Sequence, residues 1–156
     1  MGSSENRLNL ARLYFRKAHA DLESAAHLSS VSQYANAVFL AQQCGEKAAK
    51  ATLALKNIEF ELREHIVSGY VASELVAFAP EVWEERLRGV VRMLVALEEH
   101  SIKPRYPFVT AARIWDPEKG YDKQGAEDAI EKAESILREL EEFCSSNLGY
   151  IAGETS

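Results

Sequence analysis

The hexapeptide from Lys103 to Phe108, KPRYPF, combines two cations, two aromatic rings and two prolines. An arginine presents a rigid fork that matches phosphate, and an aromatic ring offers a face on which a base can stack. Lys103, Arg105 and Tyr106 are therefore candidate contacts for a nucleotide or for single-stranded RNA. A second interpretation is a helix stop, fixed by the prolines, in which Tyr106 and Phe108 plug the end of a helical bundle. That interpretation leaves both cations unexplained, and composition alone does not decide between the two.

A second polar set, Gln43, Glu46 and Lys50, recurs at spacings of three and four and so falls on one face of a helix. Glutamate followed by lysine four residues later is a common surface pair worth roughly 0.2–0.5 kcal/mol. The alternative is that the row lines a groove or a dimer seam, because the opposite face already carries the apolar residues. The spacing is compatible with both.

Several kinds of site are absent from the sequence. Di-iron helical bundles use Glu-x-x-His, and none of the four histidines follows a glutamate by three residues. The eight glycines are scattered, so there is no P-loop and no dinucleotide fingerprint. Cys44 and Cys144 fall on apolar helical stripes and form no CxxC pair, which predicts core thiols in a reducing compartment. We therefore expect neither a metal site nor a cofactor.

The elements that must position these residues are predicted to be helices. Apolar residues recur with helical spacing throughout and no stretch alternates with a period of two, which predicts an all-α fold. Helical segments are expected over about 7–29, 33–56, 65–78, 80–103 and 122–147. The fourth has the clearest stripe, and Asp122 is expected to cap the last. The members of that stripe are Trp83, Leu87, Val90, Leu94 and Leu97.

Residues 101–123 are predicted to form an irregular functional loop. They contain three of the four prolines, four aromatic residues and five basic against three acidic side chains, so their net charge is +2 while the rest of the chain carries −8. A loop of this length inside one domain is usually functional or disordered, and its aromatic content argues against disorder.

The length of 156 residues predicts a single domain, with a core over about 7–147 and a frayed tail at 148–156. The net charge of −6 argues against indiscriminate adhesion to nucleic acid, so any anion site must be local. The first ten residues lack the apolar region of a signal peptide, and the best apolar run, VVRMLVAL, is interrupted by Arg92. We therefore expect a cytoplasmic protein without a membrane segment.

Four parts of the chain, spread over about 12–143, are shared in order with one family. They are Ala18, Asp21, Leu22 and Ala25; the run YANAVFLAQQCGEKAAKATL; His65; and HSIKPRYPF followed by YDKQGAEDAIEKAESIL. Taken together they resemble the HEPN family, small prokaryotic helical proteins named for nucleotide binding. The run Gln-Gln-x-x-Glu-Lys-x-x-Lys and the triplet Arg-Tyr-Pro are the most specific parts.

The resemblance implies an up-and-down bundle of four or five helices that forms a homodimer and acts with a nucleotidyltransferase-type protein partner. Many members are metal-independent endoribonucleases of toxin-antitoxin or defence systems. In these an arginine, followed after four to six residues by a histidine, binds phosphate while the histidine assists attack by a ribose 2′-hydroxyl. Arg105 corresponds to that arginine and is the candidate catalytic residue.

The histidine of that pair is missing, because the corresponding positions are Thr110, Ala111 and Ala112. The leading hypothesis is therefore a catalytically degenerate HEPN protein that binds nucleotide or RNA phosphate in a groove associated with the dimer. Two alternatives stay open, an active endoribonuclease toxin and a purely structural interaction module. The predicted binding residues are Lys103, Arg105, Tyr106, Gln43, Glu46, Lys50 and His65.

Overall fold

Six α-helices and one short hairpin form the described part of the chain, residues 2–61 and 63–153 of a computed structural model. Helix accounts for 71% of it, as the all-α prediction requires. The helices are α1 (Ser4–Ser30), α2 (Tyr34–Leu55), α3 (Ser68–Tyr70), α4 (Glu81–Glu98), α5 (Pro117–Gly120) and α6 (Lys123–Asn147). The hairpin strands are β1 (Phe108–Val109) and β2 (Ile114–Trp115).

Helix α2 lies at the centre, packed against α1, α4 and α6. Its small residues allow this close approach: Ala41, Cys44 and Ala48 are fully buried. A Cβ atom at Gly45 would lie 3.3 Å from side-chain carbons of both Ile136 and Leu97. A larger residue there would have to push α4 and α6 away from α2.

The sequence patterns of α4 and α6 are confirmed. All five residues of the α4 stripe are buried, and Trp83 contacts Phe143 of α6 edge to face, with ring centroids 5.3 Å apart. Helix α6 begins directly after Asp122, whose Oδ1 accepts a 2.8 Å hydrogen bond from the backbone N–H of Gly125. The predicted cap therefore fixes where the chain leaves the loop and re-enters the bundle.

The third segment departs from the predicted regular helix over 65–78. Its helical part begins at Ser68, so His65 precedes the helix rather than opening it. The Glu98 carboxylate of α4 accepts hydrogen bonds of 2.8 Å from the N–H groups of Val67 and Ser68, which caps this end from another element. The chain then continues through a π-helical turn, Val71–Leu75, and a 3₁₀ turn, Val76–Phe78.

The region predicted as irregular contains turns, the hairpin and α5. The strands pair antiparallel, Phe108 with Trp115 and Val109 with Ile114. Strands of two residues are too short to produce an alternating pattern, which is why the sequence did not reveal them.

The chain after α6 returns to the bundle at Tyr150, which is 7% exposed and packs on Phe15 of α1 with ring centroids 5.0 Å apart. Residues 154–156 of the predicted frayed tail lie outside the described residues. None of the described helices is long and apolar enough to cross a membrane.

Candidate functional site

The guanidinium group of Arg105 is held between two aromatic rings. Its Cζ lies 4.6 Å from the ring centroid of Phe39, on α2, and 5.2 Å from that of Tyr106. Its Nε donates a 2.9 Å hydrogen bond to the carbonyl of Ser101. The two terminal nitrogens make no hydrogen bond or ion pair with residues 2–61 or 63–153. The charged fork is therefore oriented, and its ends remain available to an anion.

Arg105 lines a cleft of about 580 Å³ between the first turn of α2 and the loop. The cleft wall includes Tyr34, Ala35 and Asn36, and the side chain of Gln33, the N-cap residue, makes no capping hydrogen bond. The first N–H groups of a helix lack intrahelical partners and carry partial positive charge. Together with Arg105 they make this end of the cleft favourable for phosphate.

The lining of the cleft also includes two acidic residues, Asp116 and Glu118. One oxygen of Asp116 accepts a 3.1 Å hydrogen bond from the N–H of Glu118 and so caps the start of α5. Carboxylates can accept hydrogen bonds from base amino groups or from ribose hydroxyls. The cleft lining therefore combines a cation for a phosphate with hydrogen-bond acceptors for a sugar or a base.

A chain of aromatic contacts braces the loop that carries Lys103. The indole Nε1 of Trp115 donates a 2.8 Å hydrogen bond to the Lys103 carbonyl, and the same ring stacks on Phe108 at 6.0 Å. Tyr121 meets Trp115 edge on. A Cβ atom at Gly120 would overlap the Trp115 ring, so close approach requires glycine there. The Lys103 side chain itself is exposed.

The structure brings Gln43, Glu46, Lys50 and His65 together in one polar cluster. Glu46 accepts hydrogen bonds from Lys50 (2.9 Å), Gln43 (3.1 Å) and Gln42 (3.0 Å), and His65 Nδ1 lies 3.2 Å from its Oε2. Glu46 and Lys50 are only 5% and 3% exposed, whereas the His65 side chain is 46% exposed. His65 thus links the segment before α3 to α2.

Electrostatics keep the Glu46 carboxyl ionised. Burial raises the pKa of the Glu46 carboxyl, but hydrogen bonds from Lys50, Gln42 and His65 and the charge of Lys50 outweigh it and leave the pKa below its ordinary value. A second ion pair, between Lys47 and Asp21, ties the same stretch of α2 to α1.

One face of α2 connects the cluster to the loop. Phe39, Gln43, Glu46 and Lys50 follow one another at spacings of four, three and four, so all lie on the same side of the helix. With a rise of about 1.5 Å per residue, the Arg105 contact on Phe39 lies roughly 10 Å along the axis from Glu46. The two predicted groups therefore occupy two positions on one helix face.

Sequence reasoning missed Phe39, His100 and Tyr121. Phe39 lies one turn before Gln43 on the same face of α2, but that spacing does not indicate that the loop packs there. His100 Nδ1 lies 2.8 Å from the Tyr121 hydroxyl, and both line a cavity of about 280 Å³ beside the start of α6. Burial lowers the pKa of His100, so its imidazole is neutral at pH 7.

The described residues do not favour a cysteine nucleophile or a metal site. Burial raises the pKa values of Cys44 and Cys144 to about 12, so neither thiol is a ready nucleophile. No group of three or more His, Cys, Asp and Glu side chains in the described ranges is arranged to hold a metal ion.

Comparison with known proteins identifies the family to which this chain belongs. The model of the HEPN domain matches residues 11–143. The chain therefore belongs to the HEPN family, as the Gln-Gln-x-x-Glu-Lys and Arg-Tyr-Pro motifs predicted.

A relative from Methanocaldococcus jannaschii named Putative toxin MJ1304 is 35% identical over 150 residues, which cover 96% of this chain and 97% of that protein. The crystal structure of TT1696 from Thermus thermophilus superposes with a TM-score of 0.63 at 28% identity and covers 85% of this chain and 96% of that one. The structure of ST0689, an archaeal HEPN homologue, gives a TM-score of 0.62 at 27% identity, with 91% and 98% covered.

Proposed function

We propose that the chain binds a nucleotide or RNA phosphate in the cleft at Arg105. The observation that carries this proposal is the Arg105 fork, oriented by Phe39 and Ser101 with both terminal nitrogens unpaired among the described residues. Bidentate guanidinium–phosphate contacts are among the stronger charge-assisted hydrogen bonds. Tyr106, 54% exposed, supplies a ring for stacking a base, and Lys103 adds charge beside it.

The cluster around Glu46 extends this site along α2 in the proposal. His65 and Gln43 are its more accessible members and would meet a longer RNA strand. Glu46 and Lys50 hold them in place, because both are buried and hydrogen-bonded to one another. On this basis Arg105 binds the anion and the Glu46 cluster positions the adjoining surface.

We further propose that the chain is the toxin-type HEPN component of a two-protein module that acts in the cytoplasm with a nucleotidyltransferase-type partner. The HEPN family membership and the relative named as a toxin support this assignment. A homodimer belongs to the same proposal, and light scattering should then give a mass about twice 17.4 kDa. A mass of one chain at micromolar concentration would contradict it.

The binding proposal is tested by titrating a short single-stranded RNA, and separately ATP, at low salt into wild-type protein and Arg105→Ala. We expect Arg105→Ala to weaken affinity about tenfold or more, as the loss of a charge-assisted contact predicts. Arg113→Ala is the matched control, because Arg113 is an exposed arginine on the same loop. Equal affinities for wild type and Arg105→Ala would overturn the site.

His100 favours a second candidate function, metal-independent ribonuclease activity with a catalytically active Arg105. Its neutral imidazole could accept a proton, and it lies on the same turn region as Ser101, whose carbonyl holds Arg105. Cleavage of RNA in the presence of EDTA that is lost in both His100→Ala and Arg105→Ala would support it. If wild-type protein binds RNA but does not cleave it over hours, the ribonuclease hypothesis is wrong and the hypothesis of a catalytically degenerate RNA-binding protein is retained.

A further inference from the structure

A cavity of about 460 Å³ lies between α1, α6 and the segment that follows α6. It shares no lining residue with the Arg105 cleft, and nothing in the proposed function uses it. Its volume falls within the range of small-molecule sites. The residues that matter for its chemistry are Arg12, Arg16, His19, Glu141, Phe15 and Tyr150.

The floor of this cavity is aromatic and carries one unpaired hydroxyl. Phe15 and Tyr150 are 2% and 7% exposed, and their rings pack together. The Tyr150 hydroxyl makes no hydrogen bond within residues 2–61 and 63–153, where no polar side-chain atom is both buried and unpaired. The hydroxyl is therefore accessible from outside the core, and Tyr150 lines the cavity. Burial and the charge of Glu141 raise the pKa of Tyr150, which keeps the hydroxyl a donor.

The rim of the cavity is basic. Arg12 is fixed by a 2.9 Å hydrogen bond from its Nε to the Ile151 carbonyl. Arg16 makes no hydrogen bond or ion pair with any described residue, whereas Arg86, Arg88 and Arg92 of α4 each pair with glutamate. Among the described residues that line the cavity, the carboxylate is that of Glu141, which is in contact with His19. Two guanidinium groups thus lie beside a carboxylate that already has a partner.

We propose that this cavity binds a small organic anion with an apolar body. The apolar body packs against Leu13, which is 48% exposed, and against the accessible edges of Phe15 and Tyr150. The anionic head group is held by Arg12 and Arg16, with the Tyr150 hydroxyl as a further donor. Arg16 supplies the planar fork that suits a carboxylate or a phosphate monoester. An apolar floor with a few convergent polar groups is the usual composition of such a site.

The test is an NMR titration of the full chain with phenyl phosphate and with phenylacetate, which share the ring and differ in the head group. Inorganic phosphate, which lacks the ring, is the control ligand. We expect saturable shifts at α1 and Tyr150 with at least one aromatic anion, and weaker binding of inorganic phosphate. The aromatic anion that binds more tightly identifies the head group.

Variants make the result specific. Arg16→Ala should weaken binding about tenfold, whereas Glu141→Gln should tighten it, because repulsion is removed while a hydrogen bond to His19 is retained. Lys17→Ala, an equal loss of charge at an exposed neighbour outside the cavity lining, should change little.

The proposal is overturned by any of three results: a Kd weaker than about 10 mM for both aromatic anions, equal binding by inorganic phosphate, or unchanged binding by Arg16→Ala. Arg105→Ala must retain the shifts, since their loss would assign the ligand to the other cleft. The proposal for this cavity and the proposal for the Arg105 cleft can therefore be contradicted independently of each other.

Discussion

At the residue scale, the position of Arg105 depends on partners from another element. Its segment stands out in the sequence, but Phe39 lies on α2, and no local pattern predicts which helix meets the loop. Stacking on Phe39 and the hydrogen bond to Ser101 limit the rotamers of a long side chain before any ligand arrives. A restrained arginine loses less conformational entropy on binding than a free one.

Phe39→Leu is expected to weaken RNA affinity by about two- to fivefold, because a cation–π contact of this kind contributes on the order of 0.5–1 kcal/mol. Leucine preserves an apolar side chain at this half-buried position, so the midpoint of thermal unfolding should change little. RNA titrations followed by fluorescence anisotropy measure the affinity, and a thermal melting curve of the same variant measures its stability. Unchanged affinity would show that Phe39 does not position Arg105.

Glu46→Gln is expected to lower the free energy of unfolding at pH 7 by about 3 kcal/mol, because the buried Lys50 ammonium would lose its ion pair with the Glu46 carboxylate. The folded-state pKa of Glu46 lies below the unfolded value, so its stabilisation is present above the ordinary carboxyl pKa near 4.3 and is lost as pH falls through the lower folded value. Denaturant titrations should thus show the gap between wild type and variant narrowing in acid.

The control for that experiment is Glu134→Gln, which removes an exposed carboxylate of α6. It should change stability by less than about 0.5 kcal/mol. A gap between wild type and Glu46→Gln that stays constant from pH 7 down into strong acid would mean that the Glu46 charge is not the source of the stabilisation.

At the element scale, the loop between α4 and α6 is held by its own aromatic residues. A hairpin of two-residue strands is not stable alone, yet Trp115 ties it to the Lys103 carbonyl and to Tyr121. The shape of the Arg105 cleft therefore depends on a packing contact at Gly120, the last residue of α5.

Gly120→Ala is expected to displace the Trp115 ring, because the added methyl group and the ring would occupy the same space. Tryptophan emission should shift to longer wavelength and RNA affinity should fall, while the helical circular dichroism signal is retained. Gly89→Ala on α4 is the control, since the nearest atom to its Cβ would be Arg92 Nη2 at 3.7 Å. Unchanged emission and affinity in Gly120→Ala would contradict a role for this contact.

The sequence was informative where an element is determined locally. The apolar stripe of α4 and the Asp122 cap of α6 follow from spacing and capping chemistry, and both are present. The start of the third segment cannot be predicted from local spacing, because its cap is Glu98 of α4, thirty residues further along the chain. His65 was predicted in the same site as Glu46 from the family resemblance, whereas their contact depends on how a connecting segment folds back on α2, which no local pattern specifies.

At the scale of the whole molecule, charge is distributed unevenly along the chain. A chain with a net charge of −6 repels nucleic acid at long range, so affinity must come from short-range contacts in the segment with net charge +2. Binding to RNA is then expected to depend on few phosphates. The affinity for RNA should therefore depend only weakly on salt concentration, and a single substitution should change that dependence measurably.

The most direct test of phosphate binding at Arg105 is the salt dependence of RNA affinity for wild type and Arg105→Ala. Each phosphate contact contributes about 0.7 to the slope of log K against log salt concentration for a single strand. We predict a slope shallower by about 0.7 in Arg105→Ala, and an unchanged slope in Arg113→Ala. Identical slopes and affinities for wild type and Arg105→Ala would contradict the assignment of Arg105 as the phosphate contact.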